Sequence, residues 1–331
     1  MKRLLWGIIA VAVLWSGYWF IGAAGVRHGL EGWMQARRAE GWQADYADFA
    51  VRGFPNRFDA TWDNLALADP DTGFAVDLPR FGLYALSWKP THLIAVWPHS
   101  FTFRSPLSRH ELASDDLRAS LRVAPGPLLE LKRAQLSGSN LRFSGDLPGA
   151  MDSLSLAMAQ SDDDPTAYRL GLRAEGITLP EALTRHLAGD GSLPETISGL
   201  QLDADVTFAR PWDLRALEEA RPQPTAIDLH LARAAWGELM LQVTAQLEMD
   251  AQGIPSGTAQ IQARNWRQML QLAVRAGALD ARSAEAAEKA LAFLAGAGGN
   301  PEALDLKLTL KGGMVWAGLV PLGPAPAIRL R

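Results

Sequence analysis

Cysteine is absent from all 331 residues, which excludes disulfides, thiolate nucleophiles, cysteine-ligated zinc and iron–sulfur clusters. Histidine is scarce. The six residues His28, His92, His99, His110, His186 and His230 include one pair with short spacing, His92 and His99, and seven positions along an extended strand put those two on opposite faces. A surplus of basic charge is also missing. Without Lys2 and Arg3 the chain carries 30 basic against 36 acidic residues, a net of −6. That balance lacks the basic face of a nucleic-acid binder and gives little attraction to anionic lipid over a broad surface. No Gly-x-Ser-x-Gly, His-Glu-x-x-His, P-loop or dinucleotide fingerprint occurs. Asp162-Asp163-Asp164-Pro165 lacks the alternating ligands, central glycine and terminal glutamate of a calcium loop and reads as a solvated hairpin tip. Asp69-Pro70-Asp71-Thr72-Gly73 reads as a β-turn. The expectation is therefore no catalytic, cofactor-binding or metal-ligating residue, and no enzyme.

Charge is absent altogether from Leu4 to Val26. As a helix, these 23 residues extend roughly 34 Å, enough for the ~30 Å hydrocarbon core of a bilayer. The run exceeds the ~7–15 apolar residues of a cleaved signal, although Gly22-Ala23-Ala24-Gly25 offers small residues for cleavage. Its second half carries Trp15, Tyr18, Trp19 and Phe20, residues suited to a membrane–water interface. Residues 1–26 are expected to be a retained anchor in a bacterial inner membrane. Lys2 and Arg3 would stay cytoplasmic and the main domain would be periplasmic, by the positive-inside rule. Residues 27–43 predict a separate amphipathic exit helix, with Leu30, Trp33 and Met34 at helical spacing.

Beyond residue 43 the pattern changes to period two. Leu200, Leu202, Ala204, Val206 and Phe208 alternate with polar residues. So do Leu239, Leu241, Val243, Ala245, Leu247 and Met249, and likewise Leu304, Leu306, Leu308 and Leu310. Each is the signature of a half-buried antiparallel strand. Weaker strands are expected at Tyr46–Val51, His92–Trp97, Leu117–Val123, Leu131–Leu136, Leu141–Ser144, Leu154–Met158, Tyr168–Glu175, Ile227–Leu231 and Ala259–Ala263. Helices are expected at Leu179–Ala188, Trp212–Ala220 and Asn265 to about Ala295, the last ended by the glycine-rich stretch Gly296–Pro301. The fold class is mainly β with accessory helices (α+β): an N-terminal transmembrane helix, then a large antiparallel, curved sheet able to form a groove. Residues 44–331 make the β-rich domain, with two sub-units divided near 175–195.

One short motif stands apart. Gly53-Phe54-Pro55-x-Arg57-Phe58 follows a strand and precedes Trp62-x-Asn64-Leu65-x-Leu67-x-Asp69-Pro70, then Trp88-Lys89-Pro90-x-His92-Leu93-Ile94. Gly53 and Pro55 shape a turn, Phe54 and Phe58 plug a core, and Arg57 caps carbonyls or pairs with Asp59 or Asp63. Gly53, Phe54, Pro55, Arg57, Phe58, Trp62, Trp88 and Pro90 are the candidate residues for a structural or binding role. In this order, after an N-terminal anchor, they resemble the bacterial envelope family catalogued as domain of unknown function 2125. The ending Leu308-Thr309-Leu310-Lys311-Gly312-Gly313 with Pro321-Leu322-Gly323-Pro324-Ala325-Pro326 is similar to that family's. More distantly the chain is similar to AsmA-like inner-membrane-anchored proteins. That likeness implies an elongated sheet with an apolar concave face and a role in lipid handling. The functions weighed are a lipid- or amphiphile-binding envelope protein, a scaffold holding an envelope protein partner, and an enzyme with an unrecognised site.

Overall fold

A computed structural model describes residues 1–188, 193–297 and 302–330. The chain contacts form two compact units, Met1–Pro125 with Ala134–Pro148, and Gly126–Arg133 with Gly149–Arg331. The strand pairings described by register are antiparallel.

The first unit opens with one continuous helix, α1 (Lys2–Ala39). The separate exit helix expected over 27–43 is thus a correction: the helix does not stop at Arg27, because no proline or capping residue interrupts it there. It stops at Gly41, which takes φ +90°. The Gly41 and Trp42 amides bond back to the Arg38 and Arg37 carbonyls, the paired bonds of a Schellman stop. Next come β1 (Gln43–Asp45), β2 (Asp48–Arg52), β3 (Arg57–Ala68), β4 (Ala75–Leu86), β5 (Lys89–Val96), β6 (Ser100–Ser105), β7 (Ser108–Ala113), β8 (Asp116–Val123) and β9 (Leu131–Gly145), whose first residues, through Arg133, belong to the second unit. The long strands β3 and β4 pair over most of their length. Their alternation changes phase midway. Phe58, Ala60 and Trp62 are buried on β3, and then Leu65 is, because Asn64 takes a left-handed backbone (φ 51°) opposite Pro79. Asparagine adopts that conformation more readily than most residues, and one such residue turns the strand over.

The second unit holds β10 (Gly149–Gln160), β11 (Ala167–Thr178), α2 (Glu181–Ala188), β12 (Thr196–Phe208), α3 (Arg215–Glu218), β13 (Pro224–Trp236), β14 (Leu239–Met249), β15 (Pro255–Arg264), α4 (Trp266–Arg275), α5 (Ala281–Ala297), β16 (Ala303–Lys311), β17 (Met314–Ala317) and β18 (Val320–Pro324). β10 to β18 form a meander of hairpins in chain order. The division near 175–195 is also corrected. β11 and β12 pair from Ala167 through Thr178 across that region, so α2 is an insertion between two paired strands rather than a boundary. The single helix expected from Asn265 is two. Gly277 (φ +71°) closes α4 with a second Schellman stop, and Asp280 starts α5 by accepting the Arg282 and Ser283 amides, each at 3.0 Å. The helix expected over Trp212–Ala220 shrinks to the single turn α3. Of the stretch Gly296–Pro301, residues 298–301 lie outside the described residues.

Both ends of the second unit's apolar face are packed. Tyr168, Ala204, Val206 and Phe208 form one cluster, with Trp212 against it. Trp236, Leu239, Ala263, Trp266 and Leu304 anchor the other end beneath residues of α2, α4 and α5. Each such large apolar side chain contributes about 1.5–3 kcal/mol on burial.

Candidate functional site

The motif residues gather where α1 meets the sheet of the first unit. α1 presents Trp15, Trp19, Ala23, Val26, Leu30 and Met34 along one side, the 3–4 spacing that aligns a single helix face. Trp19, Ala23 and Met34 are buried. Trp19 is only 5% exposed and packs with Phe58 at 4%. Its indole lies 5.4 Å from the Phe54 ring and 6.0 Å from the Phe58 ring, and Phe20 stacks on Phe54 at 5.6 Å. Gly22 supplies the close approach: a Cβ there would sit 2.6 Å from Phe58 Cζ.

The turn between β2 and β3 is built for this contact. Gly53 adopts φ +102°, and a Cβ on it would fall 2.8 Å from the Arg57 carbonyl, so glycine is the residue that fits. The Phe54–Pro55 peptide is cis. The Asn56 and Arg57 amides both donate to the Gly53 carbonyl at 3.1 and 2.8 Å. The Pro55, Asn56 and Arg57 carbonyls are taken up by α1 and by the β4–β5 turn. Trp15 Nε1 donates to the Pro55 carbonyl at 3.1 Å, and Trp19 Nε1 to the Arg57 carbonyl at 2.7 Å. Tyr18 Oη donates to the Ser87 carbonyl at 2.5 Å. The Ser87 amide donates to the Asn56 carbonyl at 2.9 Å, and Ser87 itself is fully buried.

Arg57 forms a bidentate pair with Asp59, Nε–Oδ1 at 2.9 Å and Nη2–Oδ2 at 2.7 Å, and its guanidinium lies 5.6 Å from the Tyr84 ring centre. Of the two carboxylates within reach in sequence, Asp59 is the partner, while Asp63 stands 3.8 Å from Arg80. Trp62 is a core residue, stacked on Phe49 at 4.7 Å and buried. Trp88 lies on the β4–β5 turn and Pro90 is the second residue of β5; both are exposed. The motif therefore divides. Gly53, Pro55, Arg57 and Phe58 make the seat for α1, Trp62 belongs to the sheet core, and Phe54 and Trp88 keep exposed faces. The three α1 donors, which the sequence suggests only as interface anchors, complete the seat. Their helical spacing is the available signal.

The other acidic clusters are local turns. Asp69 accepts from the Asp71 amide and the Thr72 hydroxyl, and Asp164 from the Thr166 hydroxyl and amide. Those bonds hold both carboxyls below the ordinary aspartate range. His92 bonds Ser120 and His99 bonds the Ser114 carbonyl. Among the described residues, no group of three or more His, Cys, Asp or Glu is placed to hold a metal.

A second feature belongs to the sheet of the second unit. Its registers carry one row of cross-strand neighbours, Leu156–Leu172–Leu202–Ala232–Val243–Ile261–Leu306, over seven strands. All seven are half-buried. A bulge at His230 puts Leu229 and Ala232 opposite Ala245 and Val243, which keeps both residues on the apolar face. Leu156, Leu172, Ala232, Val243 and Ile261 belong to neither of the packed ends. The opposite face carries Arg173, Gln201, Arg233, Gln242, Gln262 and Asp305 in the adjoining row. With strands ~4.8 Å apart, the apolar row extends roughly 29 Å.

These features define a class: a β-rich domain joined to an N-terminal helix long and apolar enough to span a membrane, with a mean hydropathy of 1.9 in its apolar window. More particularly, residues 19–326 match the family described as "Uncharacterized protein conserved in bacteria (DUF2125)", and the chain belongs to that family. The match begins at Trp19, so of the three α1 donors it takes in Trp19 but not Trp15 or Tyr18, and it runs through most of both units. No curated protein and no solved structure matches the chain.

Proposed function

We propose that this protein is a single-pass, membrane-anchored envelope protein that holds a lipid or other amphiphile along the apolar face of its second unit, without catalysing a reaction. The half-buried row from Leu156 to Leu306 carries the reading. Leu202 and Leu306 lean on the packed ends, but Leu156, Leu172, Ala232, Val243 and Ile261 belong to neither. An uncovered apolar strip is the usual mark of an interaction surface, and the row's ~29 Å exceeds the half-bilayer depth filled by one acyl chain. Lys2 and Arg3 before the apolar run set the orientation, with the β-rich units on the periplasmic side of the inner membrane.

The test is photocrosslinking of the full chain in phosphatidylethanolamine/phosphatidylglycerol vesicles doped with a phospholipid carrying a diazirine on its acyl chain. Peptides containing Leu172, Leu202 and Val243 should be labelled. Val243→Arg should remove that labelling, and Gln242→Arg, on the polar face, should leave it. Labelling confined to peptides of α1 would overturn the reading. A protein partner is the second reading, favoured by exposed Leu319, Val320 and Leu322 around β18. A stoichiometric partner crosslinked at those residues, with no lipid at Val243, would establish it instead.

A further inference from the structure

The two turns that seat α1 lie beside its membrane-spanning stretch, not beyond its end. Along a straight helix Trp15 is ~16 Å and Trp19 ~22 Å past Leu4, where the charge-free run begins, and the hydrocarbon core is ~30 Å thick. The first charge after the run is Arg27, and Trp19 is ~10 Å before Val26 on the same rise. A bilayer that accommodates Leu4–Val26 therefore meets the turns at Gly53–Phe58 and Leu86–Lys89. Those turns present Phe54 at 52% exposure, Leu86 at 39% and Trp88 at 56%. Phe20, 62% exposed, stacks on Phe54 and joins them to the helix.

We propose that these turns are a membrane collar: Phe54, Leu86 and Trp88 insert into the lipid leaflet on the domain's side, around α1. Two further observations fit a lipid environment and not merely an apolar patch. Backbone groups in hydrocarbon must be bonded within the protein. The carbonyls of Gly53, Pro55, Asn56, Arg57 and Ser87 all have donors, three of them from α1 side chains. The one arginine of the first turn is neutralised by a bidentate carboxylate, and the long stem of Lys89 allows its ammonium to reach the headgroups. The indole of Trp88 beside Lys89 is the pairing found at membrane interfaces.

The inference rests on the reading that α1 crosses a bilayer, and its test separates the two. Because the chain has no cysteine, single substitutions Ile8→Cys, Leu86→Cys, Trp88→Cys and Leu107→Cys each take one polarity-sensitive fluorophore without further mutation. All four side chains are exposed, so folding tolerates the label. Leu107 sits at the β6–β7 turn. The β4 residues paired with β6 are Ala75 to Asp77, and ten or so residues of strand, roughly 33 Å, separate them from Leu86. The full chain is reconstituted in phosphatidylethanolamine/phosphatidylglycerol vesicles containing lipids brominated along the acyl chain. The labels at 8, 86 and 88 should be quenched by brominated lipid, and the label at 107 only by aqueous iodide. Quenching at 8 with none at 86 and 88 overturns the collar while leaving the anchor intact. No quenching at 8 overturns both. Shielding of 86 and 88 from lipid and iodide alike assigns the surface to a protein partner and likewise overturns the collar.

Discussion

The seating of α1 makes opposite predictions for glycines on one helix. In a free helix, glycine to alanine is favourable by about 0.5–1 kcal/mol, because alanine surrenders less backbone freedom. A Cβ added at Gly17 or Gly25 would meet nothing within 4 Å, so Gly17→Ala and Gly25→Ala should be neutral or stabilising. Gly22 differs, since its Cβ would lie 2.6 Å from Phe58 Cζ and 3.2 Å from Cε1. Phe58 is buried and held between Trp19 and the sheet, so the ring has little room to yield. Overpacking of that kind costs about 1–3 kcal/mol. Set against the propensity gain, Gly22→Ala should destabilise the first unit by up to about 2 kcal/mol, roughly thirtyfold in the equilibrium. The measurement is urea unfolding of the full chain in detergent micelles, followed by near-ultraviolet circular dichroism. Phe58→Leu removes the ring atoms in question. Combined with Gly22→Ala it should cost less than the sum of the two single changes, as expected for residues in contact. If Gly22→Ala behaves like Gly17→Ala and Gly25→Ala, α1 is not seated on the β2–β3 turn.

Three further outcomes are expected. Trp19→Phe keeps a ring in the seat but leaves the Arg57 carbonyl without its donor, a loss of about 1–3 kcal/mol measurable in the same unfolding experiment. Acidification should weaken the first unit through His92, whose ring is held below the ordinary imidazole range by partial burial and by Arg122 and Lys89. The folded state then resists the proton that the unfolded chain accepts, so stability is constant above about pH 6.5 and falls as pH drops through and below that value. His92→Gln should flatten that part of the profile. Asp280→Ala should fray the start of α5, seen as lost helical dichroism and faster amide exchange there. Asp280 is held below the ordinary aspartate range by Ser283, so wild-type protein should lose the same helicity only as pH falls through that lowered value.

Strands with one uninterrupted phase are legible in the sequence, and those with a phase change are not. Leu200–Phe208, Leu239–Met249 and Leu304–Leu310 keep their alternation from end to end and appear as β12, β14 and β16. β3 and β4 are as long but do not read as full strands, because Asn64 reverses the face halfway and Pro79 sits opposite. The helix errors have a common cause. The Ala-rich stripe from Asn265 continues in period through Gly277 and Asp280, yet those two residues are a stop and a cap. At α1 the reverse holds, and Gly22, Gly25, Gly29 and Gly32 do not break a helix that has neighbours to pack on. The turn chemistry of Gly53 and Pro55 is readable locally. Its partner is not, because Trp15 and Trp19 lie about 40 residues earlier and carry no signal of what their indole N–H groups bond.

A tether made this way constrains the domain more than a flexible linker would. A glycine-rich linker of the 16 residues from Arg27 to Trp42 would let its ends separate by roughly 20–24 Å in any direction. Here the same stretch is helix through Ala39, closed by a Schellman stop and held by Arg38 Nε on the Ala44 carbonyl at 2.7 Å. Met34 is buried against the sheet. The helix therefore fixes the first unit's height and tilt relative to its own apolar run, so a bilayer that received Leu4–Val26 would also determine which turns meet lipid. An insertion of four residues after Arg27 would rotate the downstream helix by ~400° and lift it ~6 Å. Such an insertion nearly preserves the helix face, so it tests height separately from facing. With α1 seated at both places, the inserted chain must either unseat Trp15 and Trp19 from the β2–β3 turn or lose the burial of Met34, because both contacts cannot be kept at once.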